Sequence, residues 1–137
     1  MRSFMAHLAK VLTSSSAITS LVPRESISPS VRQPAGTTAI EFDISEGIRD
    51  RQGKCPLTVR LYLHATSANL AHSIADAVHA EMTAAKLSDR NRADGPFVVS
   101  QSKNTLIRRE PRNEWAASLL VEYSIKLVEL DGIRQNQ

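Results

Sequence analysis

His72 and His79 lie seven residues apart in a run with helical periodicity. That spacing puts them on one side of a helix, roughly 10 Å apart along its axis, too far for one metal ion. A zinc-binding helix spaces its histidines by about three or four residues and has further ligands nearby. Both read as solvated helix residues. His64, on the polar face of an alternating strand, reads as equally ordinary, and His7 is the fourth histidine. Cys55 is the only cysteine, so it closes no intrachain disulfide and joins no thiolate cluster, which fits a reducing, intracellular setting. Lys54 beside it would favour a thiolate in a partly buried site. Yet no histidine stands in a cysteine-nucleophile setting, and Cys55 falls in a loop before Pro56. Glu41 and Asp43, two apart on one strand face, could do acid/base work or hold a hard cation. The alternation of that strand already accounts for them as its solvent face. No Gly-x-Ser-x-Gly elbow occurs, and the 5 glycines form no phosphate cradle. The expectation is a chain without catalytic residue, metal or cofactor.

Basic residues gather in loops. Arg49, Arg51 and Lys54 lie in one, Arg90 and Arg92 in a second, and Arg108, Arg109 and Arg112 border a third. The net charge is +3, and no run of cations exceeds the pair Arg108–Arg109. Without interleaved aromatics there is no stacking platform for single strands, and no helix-turn-helix or zinc-finger spacing appears. Two readings stand: solvated loops, or loops that face DNA or an acidic partner across a ring or groove.

The elements that would carry these residues follow from periodicity. Phe4, Leu8, Val11 and Leu12 predict a helix over residues 2–13. Residues 1–24 hold Arg2, Lys10 and Arg24, many serines and no acid, a composition shared with organellar transit peptides. The apolar spacing favours a packing helix instead. Three prolines in residues 23–37 predict an extended connection with a short edge strand around Ile27. Ile40, Phe42 and Ile44 alternate with polar residues, as do Leu57, Val59, Leu61 and Leu63, giving two strands around the polar loop 47–56. Leu70, Ile74, Ala77, Val78, Met82 and Ala85 predict one helix over residues 67–87, capped by Thr66 or Ser67. A strand from Phe97 toward Arg109 alternates poorly. The last strand runs from Trp115 and buries Leu119, Val121, Tyr123, Ile125 and Leu127, leaving Ser118, Leu120, Glu122, Ser124 and Lys126 on a polar face. The expected fold is α+β: one domain over residues 1–130, with a four-stranded, mostly antiparallel sheet, helices packed on one face, and a frayed tail over residues 131–137. No apolar run approaches the ~20 residues that cross a bilayer, so no membrane partner is expected.

This order of elements resembles the tail-completion, or tail-terminator, family of long-tailed bacteriophages, prophages and gene transfer agents. The residues that carry the resemblance are Ile18-Thr19-Ser20-Leu21-Val22-Pro23 after the first helix and the strand Thr38-Ala39-Ile40-Glu41-Phe42. They continue with Leu57-Thr58-Val59-Arg60-Leu61-Tyr62-Leu63-His64-Ala65, the helix from Asn69 to Met82, and the long strand from Trp115 to Leu130. The likeness spans residues 3–130 and rests on element order and apolar pattern rather than on a catalytic motif; the Gly-poor segment after Pro23 departs from many relatives. It implies a virion protein assembled in the bacterial cytoplasm. Its copies would form a ring, expected as a homohexamer, that terminates the tail tube at its head-proximal end and joins tail to head. The implied partners are the tail-tube protein, a head-side connector protein, and DNA passing through the lumen without sequence recognition. Arg49, Arg51 and Lys54 would face that lumen or a partner. The alternatives are a head–tail stopper or adaptor, a small enzyme using Glu41, Asp43 or Cys55, and a soluble or organellar binding module.

Overall fold

The computed structural model describes residues 2–29, 38–93, 96–109 and 117–130. Helix α1 (Arg2–Ser14) turns Phe4, Leu8 and Leu12 into the core at helical spacing. It ends where Ser15 takes an extended conformation and its hydroxyl accepts from the Ile18 N–H, capping the short helix α2 (Ser16–Thr19). Pro23, with no N–H to lose, opens a 3-10 turn over Arg24–Ser26. Strand β1 (Ile27–Pro29) then pairs in parallel with β2 (Ala39–Glu46), Ile27 opposite Ile40.

Strand β3 (Cys55–Ala65) returns antiparallel to β2, with Phe42 opposite Leu61. Helix α3 (Ala68–Glu81) crosses the core face, capped by the Ser67 hydroxyl. A separate turn of helix, α4 (Ala84–Leu87), follows, and then β4 (Phe97–Arg109) and β5 (Ala117–Glu129) complete the sheet. Strand order is β1-β2-β3-β5-β4. The expectation of four mostly antiparallel strands therefore needs correcting to a mixed sheet of five. The fifth strand is β1, the short edge strand expected around Ile27, here paired in parallel, and an edge tolerates Pro29 because that side needs no ladder N–H.

The predicted helix over 67–87 is broken. Met82 leaves helical geometry at φ −87°, ψ 51°, and the Thr83 hydroxyl caps α4 by accepting from the Lys86 N–H. The Met82 carbonyl accepts instead from the Ser102 hydroxyl at 2.8 Å, fastening the break to β4. Ala71, Ile74, Ala75 and Val78 form the buried stripe of α3, while Leu70 and Ala77 sit at its margin and Ala85 is exposed. The poor alternation of β4 has a cause as well: its register against β5 shifts between Val99 and Gln101 and again between Asn104 and Leu106, the signature of bulges.

One aliphatic core joins the layers. Phe4, Leu8 and Leu12 of α1 and Ile74 and Val78 of α3 pack over Val59, Leu61, Leu63, Leu119, Val121 and Ile125. The rings of Phe4 and Phe97 meet edge to face at 5.7 Å, tying α1 to the start of β4. Among the described residues no helix is long and apolar enough to cross a membrane.

Candidate functional site

Loop 47–54, which joins β2 to β3, is built around one side chain. Asp50 Oδ1 accepts from the backbone N–H groups of Gln52 and Lys54, each at 2.9 Å. The Asp50 N–H donates to the Lys54 carbonyl, and the Gly53 N–H donates to the Asp50 carbonyl. That closure needs a left-handed residue, and Gly53 supplies it at φ +78°. The Lys54 amide does most to hold the Asp50 carboxyl below its usual range. Desolvation opposes it, and the Gln52 amide and the Lys126 and Lys54 ammonium groups assist.

The three predicted loop cations fare differently. Arg49 donates to the Gly53 carbonyl at 3.2 Å and faces Glu129 of β5 at 3.5 Å. Lys54 is half-buried beside Asp50. Arg51 is exposed, with no hydrogen-bond or ion-pair partner among the described residues. Lys126 of β5 reaches Asp50 Oδ2 at 4.0 Å, so the loop meets positions on both faces of that strand's end. The result is a basic protrusion held by its own bonds rather than a loose run of cations. At its base stands Ile48, 92% exposed.

The other candidates do not converge on a site. Cys55 begins β3 rather than lying in the loop, is buried, and donates its S–H to Glu46 Oε1 at 3.2 Å. Burial first, and then the Glu46 carboxylate, pushes its thiol up, opposite to what neighbouring Lys54 suggests. Glu41 and Asp43 share a strand face but take separate partners. Asp43 approaches Arg60, which sits between it and Glu122 across three in-register strands. Glu41 Oε1 lies 3.1 Å from His64 Nε2, and His64 Nδ1 lies 2.8 Å from the Ser118 hydroxyl. His64 is 1% exposed and Ser118 3%, so this hydroxyl–imidazole–carboxylate chain offers a substrate no direct approach.

Sequence reasoning missed this buried polar cluster. Its members come from three strands, and only the strand register, with His64 opposite both Ala39 and Ser118, brings them together. Leu120, expected on the polar face, is likewise buried on that side. His79 is not merely solvated: its Nδ1 lies 2.9 Å from the Tyr123 hydroxyl, and the two rings stack. His7 Nε2 faces the Lys86 carbonyl at 3.1 Å, and its Nδ1 faces Asp89 at 3.6 Å, linking α1 to α4. His72 is exposed. Among the described residues no three His, Cys, Asp or Glu side chains gather as a metal site. Arg90 is exposed and Arg92 half-buried in the segment before β4. Arg112 lies outside the described residues, as do the side chains of Arg108 and Arg109 and the whole of segment 131–137.

No protein-family model matches the chain, and no curated protein matches it. Among solved structures, a chain of the virion of a native gene transfer agent particle shares the fold. The superposition has a TM-score of 0.64 and covers 91% of this chain and 93% of that one, at 14% sequence identity. At that identity the likeness is one of fold, and it runs nearly end to end in both chains.

Proposed function

We propose that this chain is a structural, non-catalytic subunit of a phage-like particle. Its copies close into a ring, of six copies by the family resemblance, that terminates the tail tube and joins it to the head. The observation that carries this reading is the near-complete fold match with a gene transfer agent virion chain. The order of elements, which resembles the tail-completion family, supports the narrower role. The non-catalytic part is supported by Cys55, Glu41, Asp43 and His64, each of which is taken up in a separate structural contact. The partners in this reading are further copies of the chain, the tail-tube protein, a head-side connector and the DNA that passes through the lumen.

The basic loop is the surface assigned to those partners. Arg51 is unpaired among the described residues, and the Arg49 ion pair with Glu129 is exposed on both sides. Cations so placed either attract phosphates without reading bases or dock acidic protein loops. Two particle preparations test the reading. Particles made without this chain should show tails of uncontrolled length and unjoined heads. Tails of normal length with leaking heads would assign the chain to a head-side stopper instead. Arg49→Glu with Arg51→Glu should leave the fold intact, because an exposed ion pair is worth only ~0–1 kcal/mol, yet cut the yield of functional particles by roughly tenfold or more. Normal yield would reduce the loop to a solvated protrusion.

A further inference from the structure

Two features at one end of the sheet have a form that contacts within the chain leave unused. The first is Ile48. A large aliphatic side chain that is 92% exposed is ordinary on a floppy loop, where it can fold back on its surroundings. Here the loop is fixed. The Gly47 N–H donates to the Pro56 carbonyl at 2.8 Å, and the Asp50 turn closes the far side. Ile48 is therefore presented outward in one place, which spares a partner the ordering cost of a mobile anchor. Two residues before it stands the exposed Glu46, whose Oε1 accepts from the Cys55 S–H and whose charge has no cationic partner among the described residues.

The second feature is a cleft of about 450 Å³ between α4 and the start of β4, lined by Ala84, Ala85, Val98 and Val99 with Ser88, Arg90 and Asn91. Its apolar part is built of small side chains, so it has room for a branched aliphatic group and the chain beside it. Arg90 is exposed and has no hydrogen-bond or ion-pair partner among the described residues. The two features are separate patches at that end of the sheet. The loop joins β2 to β3, whereas α4 packs against β4, the edge strand beyond β5. A contact between two different patches is head-to-tail, and repeating it generates a ring where the rotation closes.

We infer that Ile48 of one copy enters the cleft between α4 and β4 of the next copy, with Glu46 meeting Arg90 across the contact. The inference rests on the ring-forming reading and names the surfaces that join neighbours. Apolar anchor, hollow and opposite charges then coincide at one contact, as the centre and rim of a specific interface do.

Disulfide trapping tests it in the full chain with Cys55→Ala. With Ile48→Cys and Ala85→Cys together, oxidation should give a ladder of covalent species up to the copy number of the ring. Each cysteine alone should give no ladder. In the otherwise native chain, Glu46→Arg or Arg90→Glu should weaken self-association in sedimentation by about tenfold or more, a step of roughly 1.4 kcal/mol or more, and the two together should restore it. If the native chain sediments as an oligomer but the double-cysteine chain gives no ladder, the inference falls and the ring reading stands. Single charge reversals that associate like the native chain also overturn it. A native chain that stays monomeric at its highest soluble concentration, with no ladder, overturns both.

Discussion

Tyr123 stands on the core side of β5 with its hydroxyl 2.9 Å from His79 Nδ1, so one phenol packs in the core and fastens α3 to the sheet. Burial pushes its ionisation up to about 12, against ~10 for a free phenol. A group whose folded value is raised contributes stability that is fully present below the unfolded value and is lost as pH rises through the folded one. The chain should accordingly lose stability between about pH 10 and pH 12, and Tyr123→Phe should flatten that part of the profile while costing ~1 kcal/mol at neutral pH. Denaturant unfolding of both chains across that window measures it; parallel profiles would mean that the phenol is not the group being titrated. At this scale the sequence was only partly legible. Alternation put Tyr123 on the apolar face and His64 on the polar one, but it did not show that His64 is enclosed by Glu41 and Ser118. Those contacts depend on which strands are neighbours, and composition along one strand does not carry that information.

At the scale of elements, the apolar patterns did most of the specifying. The period of two in β2, β3 and β5 fixes which residues meet the helices, because a slip by one would bury Arg60, Glu122 and Lys126 in place of Leu61, Val121 and Ile125. Ile74 and Leu119 are buried from opposite layers, and truncating either leaves a void the packed core cannot collapse. Ile74→Ala and Leu119→Ala should each cost ~2–5 kcal/mol in denaturant unfolding; two unchanged midpoints would contradict the register. Where the pattern misled, local hydrogen bonding had overridden it. Met82 continues the helical stripe, yet Thr83 is a better cap than an interior residue, and Ser102 claims the carbonyl that an unbroken helix would have used. In β4 the bulges spoil the alternation from which a strand is normally read. β1 is too short to show a period at all, and its parallel pairing came to light only through its partner β2.

For the whole molecule, the likeness to a gene transfer agent virion chain and the arrangement of the surface point the same way. The candidate chemical residues are spent on internal contacts, while the unspent features, Ile48, Arg51, Arg90 and the cleft beside α4, face outward. That distribution fits the subunit role proposed above. The order of elements in the sequence resembles that of the tail-completion family, and the fold match reaches as far as a chain of a gene transfer agent virion. The basic loop was legible in the sequence, but the contact proposed between Ile48 and the cleft was not, since the two come from segments distant in sequence. The most direct test of the central claim is electron microscopy of the purified native chain together with its mass in solution. Closed rings with a central opening are expected, with a mass that is a small whole multiple of 15.1 kDa, six by the family resemblance. Compact monomers, or two-fold dimers that use the same patch on both copies, would contradict it.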